Sequence, residues 1–197
     1  MHGKLSSWSM IAAFVLAALW AAMPLASPAS ATSSAGGTPV QVSEISAALG
    51  TGAYFVNAAS GKCLDRYNND GHNGARVQQW NCEDQDAAYW DLYEKYIDGN
   101  PYYYFASRSH PGKCLEIANY ATHNGAKAQI WDCVNQASAY WKAIPANHNG
   151  VAYIAFVNYY SNKCLEIAGA SSVDGAIAQQ WDCAGQPNAM WAGYVKG

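Results

Sequence analysis

The sequence predicts an all-β protein, a β-trefoil of three four-stranded repeats with pseudo-three-fold symmetry. One stretch is written three times, with two cysteines 19 positions apart and a tryptophan eight positions after the second cysteine. The three sets are Cys63, Cys82 and Trp90; Cys114, Cys133 and Trp141; and Cys164, Cys183 and Trp191. Each copy also contains four short segments typical of β-strands. A closed three-fold arrangement leaves no open sheet edge, whereas a solenoid needs capped ends and a three-bladed propeller would be too tight.

The N-terminal residues 1–31 are typical of a secretory signal peptide. Lys4 provides a positive charge, an apolar run covers Met10–Met23, and Ala29–Ala31 has the small residues of a cleavage site. The alternative is a transmembrane anchor, but the run is shorter than the roughly 20 apolar residues that a spanning helix needs. We therefore expect a secreted, extracellular protein whose mature chain begins near Thr32.

A short linker is predicted between the signal peptide and the trefoil. Residues 32–51 should be flexible, because Thr32–Pro39 consists mainly of Ser, Thr and Gly. The weak alternation over Val40–Leu49 leaves open whether a short helix or an edge strand follows. The domain is expected to occupy residues 52–197. Its repeats cover about 53–97, 102–146 and 152–197.

Each repeat is expected to supply its four strands in the same order. The first is aromatic and β-branched, the second carries Cys-Leu-Asp or Cys-Leu-Glu, the third carries Gln-x-Trp-x-Cys, and the fourth contains the closing Trp. The first strands are predicted at 53–57, 102–106 and 152–157, and the fourth at 88–92, 139–143 and 189–192. Asn-Gly or Asp-Gly turn signals separate the second and third strands, at residues 73–74, 124–125 and 174–175.

The positions that do not vary between the copies are expected to form the scaffold. The apolar residues predicted to meet at the pseudo-three-fold axis are Leu64, Leu115, Leu165, Trp90, Trp141 and Trp191. The even, local spacing of the six cysteines predicts three disulfides in an oxidising compartment. These are Cys63–Cys82, Cys114–Cys133 and Cys164–Cys183, and each would contribute roughly 3 kcal/mol by closing a loop of about 20 residues. Zinc is the alternative, but the sequence has no Cys-x-x-Cys pair. We expect neither a metal nor another cofactor.

The composition limits the partners of the domain. Charged residues make up 13% of the chain, aromatic residues another 13%, and the formal net charge is −3. Such a chain has no electrostatic basis for binding nucleic acid or an anionic membrane. Its aromatic, weakly charged character suits a neutral polar ligand, although Tyr and Trp are also common in strands for structural reasons. We expect a monomer without nucleic-acid or membrane partners after removal of the signal peptide.

The motifs resemble those of the ricin B-type lectin domain, a β-trefoil carbohydrate-binding module. In the first repeat, Cys63–Asp65 is followed by His72–Gly74 and then by Gln78–Cys82, which reads Gln-Gln-Trp-Asn-Cys. The resemblance covers about residues 53–197 and all three repeats. It implies a trefoil with one shallow sugar pocket per repeat and local disulfides.

Each repeat contains the three chemical functions that a sugar pocket needs. A carboxylate accepts hydrogen bonds from adjacent hydroxyls, an aromatic ring covers the C–H face of the sugar, and an amide binds a further hydroxyl. The candidate sets are Asp65, Gln78 and Trp80; Glu116, Gln129 and Trp131; and Glu166, Gln179 and Trp181. His72 and His123 are further candidates from the loops, where the third repeat has Val173. The structural alternatives are core packing for the tryptophans and turn capping for the carboxylates.

The sequence departs from the family pattern at the closing motif Gln-x-Trp. Alanine replaces the Gln in every repeat, at Ala88, Ala139 and Ala189. The family's preceding Asn is kept only as Asn188, a further candidate for sugar binding, and is replaced by Ala87 and Ser138 elsewhere. Only the first repeat keeps the Asp after Cys-Leu, and the others have the longer Glu. The three pockets are therefore predicted to be unequal.

Two classes of function remain. The first is a secreted carbohydrate-binding protein with up to three pockets for galactose- or xylose-type residues of polysaccharides or glycoconjugates. The alternative is a trefoil that acts through protein contact, such as a secreted protease inhibitor, through Tyr96–Tyr104 and Tyr159–Tyr160. An enzyme is not expected, since a glycosidase needs two carboxylates roughly 5–10 Å apart. Three-fold symmetry would separate the carboxylates of the three repeats.

Overall fold

The computed structural model describes residues 39–40, 45, 50 and 52–195 of the chain. The predicted signal peptide, 1–31, and most of the predicted linker, 32–51, lie outside these residues. Within the described part, no helix is long and apolar enough to cross a membrane.

The regular structure of the described residues consists of β-strands and single-turn 3-10 helices. A two-residue strand, β1 (Pro39–Val40), precedes the repeats. The first repeat contains β2 (Ala53–Asn57), β3 (Cys63–Arg66), β4 (Val77–Trp80) and β5 (Trp90–Ile97). The second contains β6 (Asn100–Ser107), β7 (Lys113–Ile117), β8 (Ala128–Asp132) and β9 (Trp141–His148). The third contains β10 (Val151–Asn158), β11 (Cys164–Ile167), β12 (Ala178–Trp181) and β13 (Trp191–Val195).

The first and fourth strands of the repeats close into a barrel, and the second and third form hairpins. Around the barrel the order is β2, β5, β6, β9, β10 and β13, and β13 pairs back onto β2. The hairpins are β3–β4, β7–β8 and β11–β12, each attached to the first strand of its own repeat. Equivalent residues pair at the three junctions within the repeats, namely Ala53 with Trp90, Tyr103 with Trp141 and Ile154 with Trp191. The predicted β-trefoil of three four-stranded repeats is confirmed.

The residues predicted to meet at the axis are fully buried in one core cluster. These are Leu64, Leu115, Leu165, Trp90, Trp141 and Trp191. In each repeat the indole N–H of the Trp donates a hydrogen bond to the carbonyl oxygen of the Leu, at 3.0, 3.4 and 3.0 Å in chain order. The buried indole donor is thereby satisfied, so the large apolar ring is buried without an unpaired polar group.

Three phenylalanines, not predicted as a set from the sequence, lie in the same core. Phe55, Phe105 and Phe156 come from the first strands of the three repeats and are buried. Each ring contacts the other two edge to face, with centroids 4.8 to 5.3 Å apart. Edge-to-face packing is a favourable geometry for aromatic rings. The trio therefore joins the three repeats to one another.

The predicted disulfides are confirmed. They join Cys63 to Cys82, Cys114 to Cys133 and Cys164 to Cys183, each with a Cα–Cα distance of 5.2 Å. Each ties the second strand of a repeat to the chain that follows the third strand.

Part of the predicted linker packs on the trefoil. Strand β1 runs antiparallel to β13, with Pro39 opposite Tyr194 and Val40 opposite Gly193. Ile45 is buried within the main core cluster. At these positions the stretch forms an edge strand and a core contact rather than a free linker.

The fourth strands begin later than predicted. The alanines at which they were expected to start close 3-10 turns, at Asp86–Ala88, Ala137–Ala139 and Pro187–Ala189. The strands begin at the closing tryptophans. Alanine carries no local turn signal, and all three alanines are buried in the folded repeat.

Candidate functional site

The carboxylate and the amide of each predicted set lie side by side on a hairpin. The register pairs Asp65 with Gln78, Glu116 with Gln129 and Glu166 with Gln179. In every pair the amide Nε2 donates a hydrogen bond of 2.9 Å to one carboxylate oxygen. Side chains of directly opposed residues share one face of a β-ladder, which explains why the same spacing recurs in all three copies.

A second glutamine, missed in the sequence, supports the other carboxylate oxygen. Gln85, Gln136 and Gln186 donate to it at 3.3, 3.1 and 3.0 Å. The same Nε2 atoms also donate to the carbonyl oxygen of the residue before the second cysteine, at 2.7 to 2.9 Å. The recurrence of Gln five positions before the closing Trp is the signal that would have revealed these residues.

The glutamates of the second and third repeats each reach a third donor. Ser138 Oγ donates to Glu116 Oε2 at 3.0 Å. Asn188 Nδ2 donates to Glu166 Oε2, also at 3.0 Å. Asn188, predicted as a sugar ligand, is buried and already bonded to the carboxylate. These two carboxylates therefore have most of their acceptor capacity filled from within the protein.

Asp65 is supported less completely. Ala87 stands at the position of Ser138 and Asn188 and has no side-chain donor. Among the described residues, the only hydrogen bond to Asp65 Oδ2 is the 3.3 Å contact from Gln85. The first repeat therefore presents the carboxylate with the most room for additional donors.

Arg66, a fully buried arginine, lies beside Asp65 where the other repeats have isoleucine. Its Nη2 atom donates to Asn69 Oδ1 at 2.7 Å, to the Asp86 carbonyl at 2.9 Å and to Ser109 Oγ at 2.6 Å. Ser109 belongs to the second repeat, so this side chain connects the first site to the adjacent repeat. Nothing in the isoleucines of the other copies anticipates this network.

Burial is the main influence on the pKa of both charged groups at the first site. It raises the pKa of the Asp65 carboxyl above 3.8, although hydrogen bonds from Gln78 and Gln85 and the charge of Arg66 act in the opposite direction. It lowers the pKa of Arg66 to about 10, while the charge of Asp65 opposes this change. Each ion favours the charged form of the other, which limits both shifts.

The tryptophans predicted to cover the sugar lie at the surface, unlike the buried closing tryptophans. Trp80, Trp131 and Trp181 are 40%, 40% and 43% exposed. Trp80 lines a cavity of about 560 Å³ together with the carboxylate and amide of the first repeat. Trp131 lines a cavity of about 250 Å³ with those of the second. In each of these two repeats, the predicted carboxylate, amide and Trp line the same open cavity.

The loops that contain His72 and His123 lie beside the pocket of the following repeat. A carbon atom added to the turn glycine of each loop would lie 3.8 to 4.0 Å from a Trp ring atom of the next repeat. The neighbouring pairs are Gly74 and Trp131, Gly125 and Trp181, and Gly175 and Trp80. His72 is exposed, with Nδ1 2.6 Å from Asp70 Oδ1, and His123 Nδ1 lies 2.9 Å from the Asn124 carbonyl. Ligand contact by either histidine stays a prediction.

Each loop is fastened to the next repeat by a three-residue polar clasp. The clasps are Lys113, Asp132 and Asn73; Lys163, Asp182 and Asn124; and Lys62, Asn81 and Asp174. The lysine precedes the first cysteine of a repeat, the second residue precedes its second cysteine, and the third comes from the preceding loop. The clasps therefore hold each loop next to a Trp of another repeat.

The alanines that replace the family's Gln belong to the scaffold. Ala88 packs in a buried cluster with Tyr54, Cys63 and Tyr89. Ala139 packs with Cys114 in an equivalent cluster. In the first two repeats the departure from the family pattern thus lies beside a disulfide.

Comparisons with known proteins agree with this fold. The family model described as ricin-type beta-trefoil lectin domain-like matches residues 40–131, 96–181 and 137–196. Abrin-a of Abrus precatorius is 32% identical over 92 residues, which are 44% of this chain and 15% of Abrin-a. The chain therefore spans only a small part of that curated relative.

Solved structures show the same architecture. The designed three-fold symmetric protein ThreeFoil matches with a TM-score of 0.65 and 30% identity, over 73% of this chain and 97% of ThreeFoil. The exo-beta-1,3-galactanase of Clostridium thermocellum matches with a TM-score of 0.66 and 23% identity, over 74% of this chain and 30% of the galactanase. A Macrolepiota procera ricin B-like lectin in complex with lactose matches with a TM-score of 0.58 and 14% identity, over 75% of this chain and 96% of the lectin. The last two likenesses show the fold alone.

Proposed function

Because the chain belongs to the family of ricin-type beta-trefoil lectin domain-like proteins, we propose that it is a secreted carbohydrate-binding protein. It carries up to three shallow pockets, one per repeat, for galactose- or xylose-type residues of polysaccharides or glycoconjugates. We assign it binding rather than catalysis because the family model that matches the chain is that of a lectin domain. Export is supported by the signal-like N-terminus and by three disulfides.

One observation supports this proposal most strongly. A buried carboxylate, a hydrogen-bonded amide and an exposed Trp line one cavity in the first repeat, and the second repeat has the same set. An open aromatic face suits the C–H side of a sugar, and the carboxylate and amide suit its hydroxyls. A cavity that joins an apolar wall to a few polar groups is the general form of a small-ligand site.

We expect the first pocket to bind most tightly. Glu116 and Glu166 each accept three side-chain hydrogen bonds from within the protein. Asp65 accepts two, one of them 3.3 Å long. A ligand hydroxyl therefore meets more unused acceptor capacity at Asp65. Three unequal pockets on one domain still gain from avidity on a polysaccharide with repeated residues.

The test uses the oxidised mature chain on a glycan array, followed by titration calorimetry with the sugars that bind. Trp80→Ala, Trp131→Ala and Trp181→Ala should each remove one site, and Trp80→Ala should cause the largest loss of affinity, about 3- to 10-fold. Tyr96→Ala is the control, because Tyr96 is exposed outside the two described cavities. Absence of binding to any glycan would overturn the proposal. Protease inhibition without glycan binding would favour the protein-contact alternative.

A further inference from the structure

A turn with left-handed backbone follows the second strand of every repeat and borders the pockets. The turns are Tyr67–Asn69, Ala118–Tyr120 and Ala168–Ala170. The second and third residues of each have positive φ angles, between 49° and 63°. The copies differ in the side chains that these turns carry, although their backbone is the same.

In the first repeat the turn places Tyr67 in the wall of the 560 Å³ cavity that Trp80 also lines. The Tyr67 ring is 44% exposed. The guanidinium carbon of Arg76 lies 4.2 Å from its centroid. Arg76 also donates a 2.9 Å hydrogen bond to Gln78 Oε1, and Gln78 in turn donates to Asp65. The second aromatic wall is therefore held by the same side chains that position the carboxylate.

In the second repeat a tyrosine reaches the pocket from the last position of the turn. Tyr120 lines the 250 Å³ cavity with Trp131 and is 47% exposed. Its φ of 52° is unfavourable for a bulky side chain. Residues held in such conformations are concentrated at ligand sites. The Tyr160 ring packs edge to face against it, with centroids 5.3 Å apart.

The third repeat offers no aromatic side chain in this turn, which reads Ala168-Gly169-Ala170. The three copies thus share a carboxylate, an amide and a Trp but differ in the second aromatic wall. One sugar ring stacks on the Trp of a pocket. An aromatic side chain in the turn gives the same pocket a second apolar surface, on which the neighbouring ring of the glycan can stack. The volume of the first cavity, about 560 Å³, lies within the roughly 300–1,000 Å³ typical of small-ligand sites, and that of the second, about 250 Å³, lies just below this range.

We infer that the first and second pockets bind two consecutive sugar residues of a glycan, one on Trp80 or Trp131 and the next on Tyr67 or Tyr120. The third pocket binds one residue only. This inference rests on the proposed function and adds the length of glycan that each pocket accepts. The occupant of the second wall is a pyranose ring, recognised through its C–H face.

The experiment isolates the first pocket in a Trp131→Ala, Trp181→Ala background. Titration calorimetry compares galactose with β-1,3-galactobiose and xylose with xylobiose. The disaccharide of the accepted sugar should bind about 5- to 10-fold tighter than the monosaccharide. Tyr67→Ala should weaken disaccharide binding about 5- to 10-fold more than monosaccharide binding, whereas Tyr67→Phe should preserve the preference for the disaccharide. Near-ultraviolet circular dichroism verifies that each variant is folded.

A matched gain-of-function variant tests the third pocket in a Trp80→Ala, Trp131→Ala background. Ala170→Tyr reproduces Tyr120 on a backbone with φ of 49°, against 52° at Tyr120. It should create a disaccharide preference that the background lacks.

Three results would overturn the inference. They are equal affinity of the first pocket for both ligands, equal weakening of both by Tyr67→Ala, and no gain from folded Ala170→Tyr. Monosaccharide binding with any of these results removes the inference and leaves the proposed function. If the intact chain binds none of the four sugars and no glycan on an array, both fall.

Discussion

The backbone N–H of Asn81 donates a 3.0 Å hydrogen bond to the carboxylate of Asp174, and the two residue types are exchanged in the other repeats. There, an aspartate precedes the second cysteine and an asparagine lies in the loop, as with Asp132 and Asn73. Every clasp therefore keeps one Lys, one Asp and one Asn. The net charge of the three residues is therefore the same in every clasp. The aspartate lies in the loop in one clasp and before the second cysteine in the other two.

This exchange predicts a compensating pair of substitutions. Asn81→Asp alone places a second carboxylate beside Asp174 and should lower the melting temperature by about 2–4 °C, corresponding to about 1 kcal/mol. Adding Asp174→Asn recreates the arrangement of the other clasps and should restore most of the loss. Thermal unfolding of the oxidised single and double variants measures both effects. A double variant no more stable than Asn81→Asp would contradict the clasp.

The unequal support of the carboxylates predicts unequal costs of neutralising them. Glu166→Gln sets an amide against three donors and should lower the free energy of unfolding by about 2–3 kcal/mol at neutral pH. Asp65→Asn should cost about 1 kcal/mol, because Asp65 accepts two side-chain hydrogen bonds, one of them 3.3 Å long, where Glu166 accepts three. Urea unfolding measures the difference, and Glu116→Gln is expected to behave like Glu166→Gln. Equal costs for all three variants would contradict the inferred difference in hydrogen-bond support between the three carboxylates.

The raised pKa of Asp65 predicts a distinct pH dependence. Its folded pKa lies above the unfolded value, so the folded state binds the proton more strongly. The contribution of Asp65 to the free energy of unfolding should therefore fall as the pH rises from the unfolded through the folded pKa.

Sugar binding by the first pocket should show the opposite trend and weaken on acidification, since the ionised carboxylate is the acceptor. Unfolding and titration across this pH range, with Asp65→Asn as control, test both trends; a variant with the same pH profile as the wild type refutes the assignment.

The phenylalanine trio predicts a large effect of a single core truncation. Phe105 contacts Phe55, Phe156 and Trp90, so Phe105→Ala should cost about 3–5 kcal/mol. Phe105→Leu keeps much of the volume and should cost clearly less. The exposed Tyr96→Ala should change stability by less than about 0.5 kcal/mol. Chemical unfolding of the three variants orders them, and a cost for Phe105→Ala near that of Tyr96→Ala would place the trio outside the cooperative core.

The spacing of the repeat was sufficient to predict the trefoil, the disulfides and the buried Leu and Trp pairs. These features depend on local patterns that recur with a fixed period. The constant spacing also accounts for the pairing of Asp65 with Gln78, because the turn of a hairpin determines which residues lie opposite each other.

Features that depend on contacts between repeats were not predicted. The network of Arg66 reaches Ser109, and the turn at Gly74 lies against Trp131. No sequence distance within one copy encodes either contact. The glutamine at Gln85 recurs in each copy of the sequence, but its role depends on the 3-10 turn that follows it. The alanine-containing sequence of that turn does not predict it.

The position of each turn glycine beside a tryptophan of the next repeat bears on the ancestry of such a chain. The Trp of each copy lies beside a loop of another copy, in a cycle that closes from the third copy back to the first. A gene encoding a single copy would therefore specify a carboxylate, an amide and a Trp without the neighbouring loop, and three separate chains would have to assemble to supply it. Duplication and fusion of such a gene would replace assembly by covalent connection, and only then could the three copies diverge independently.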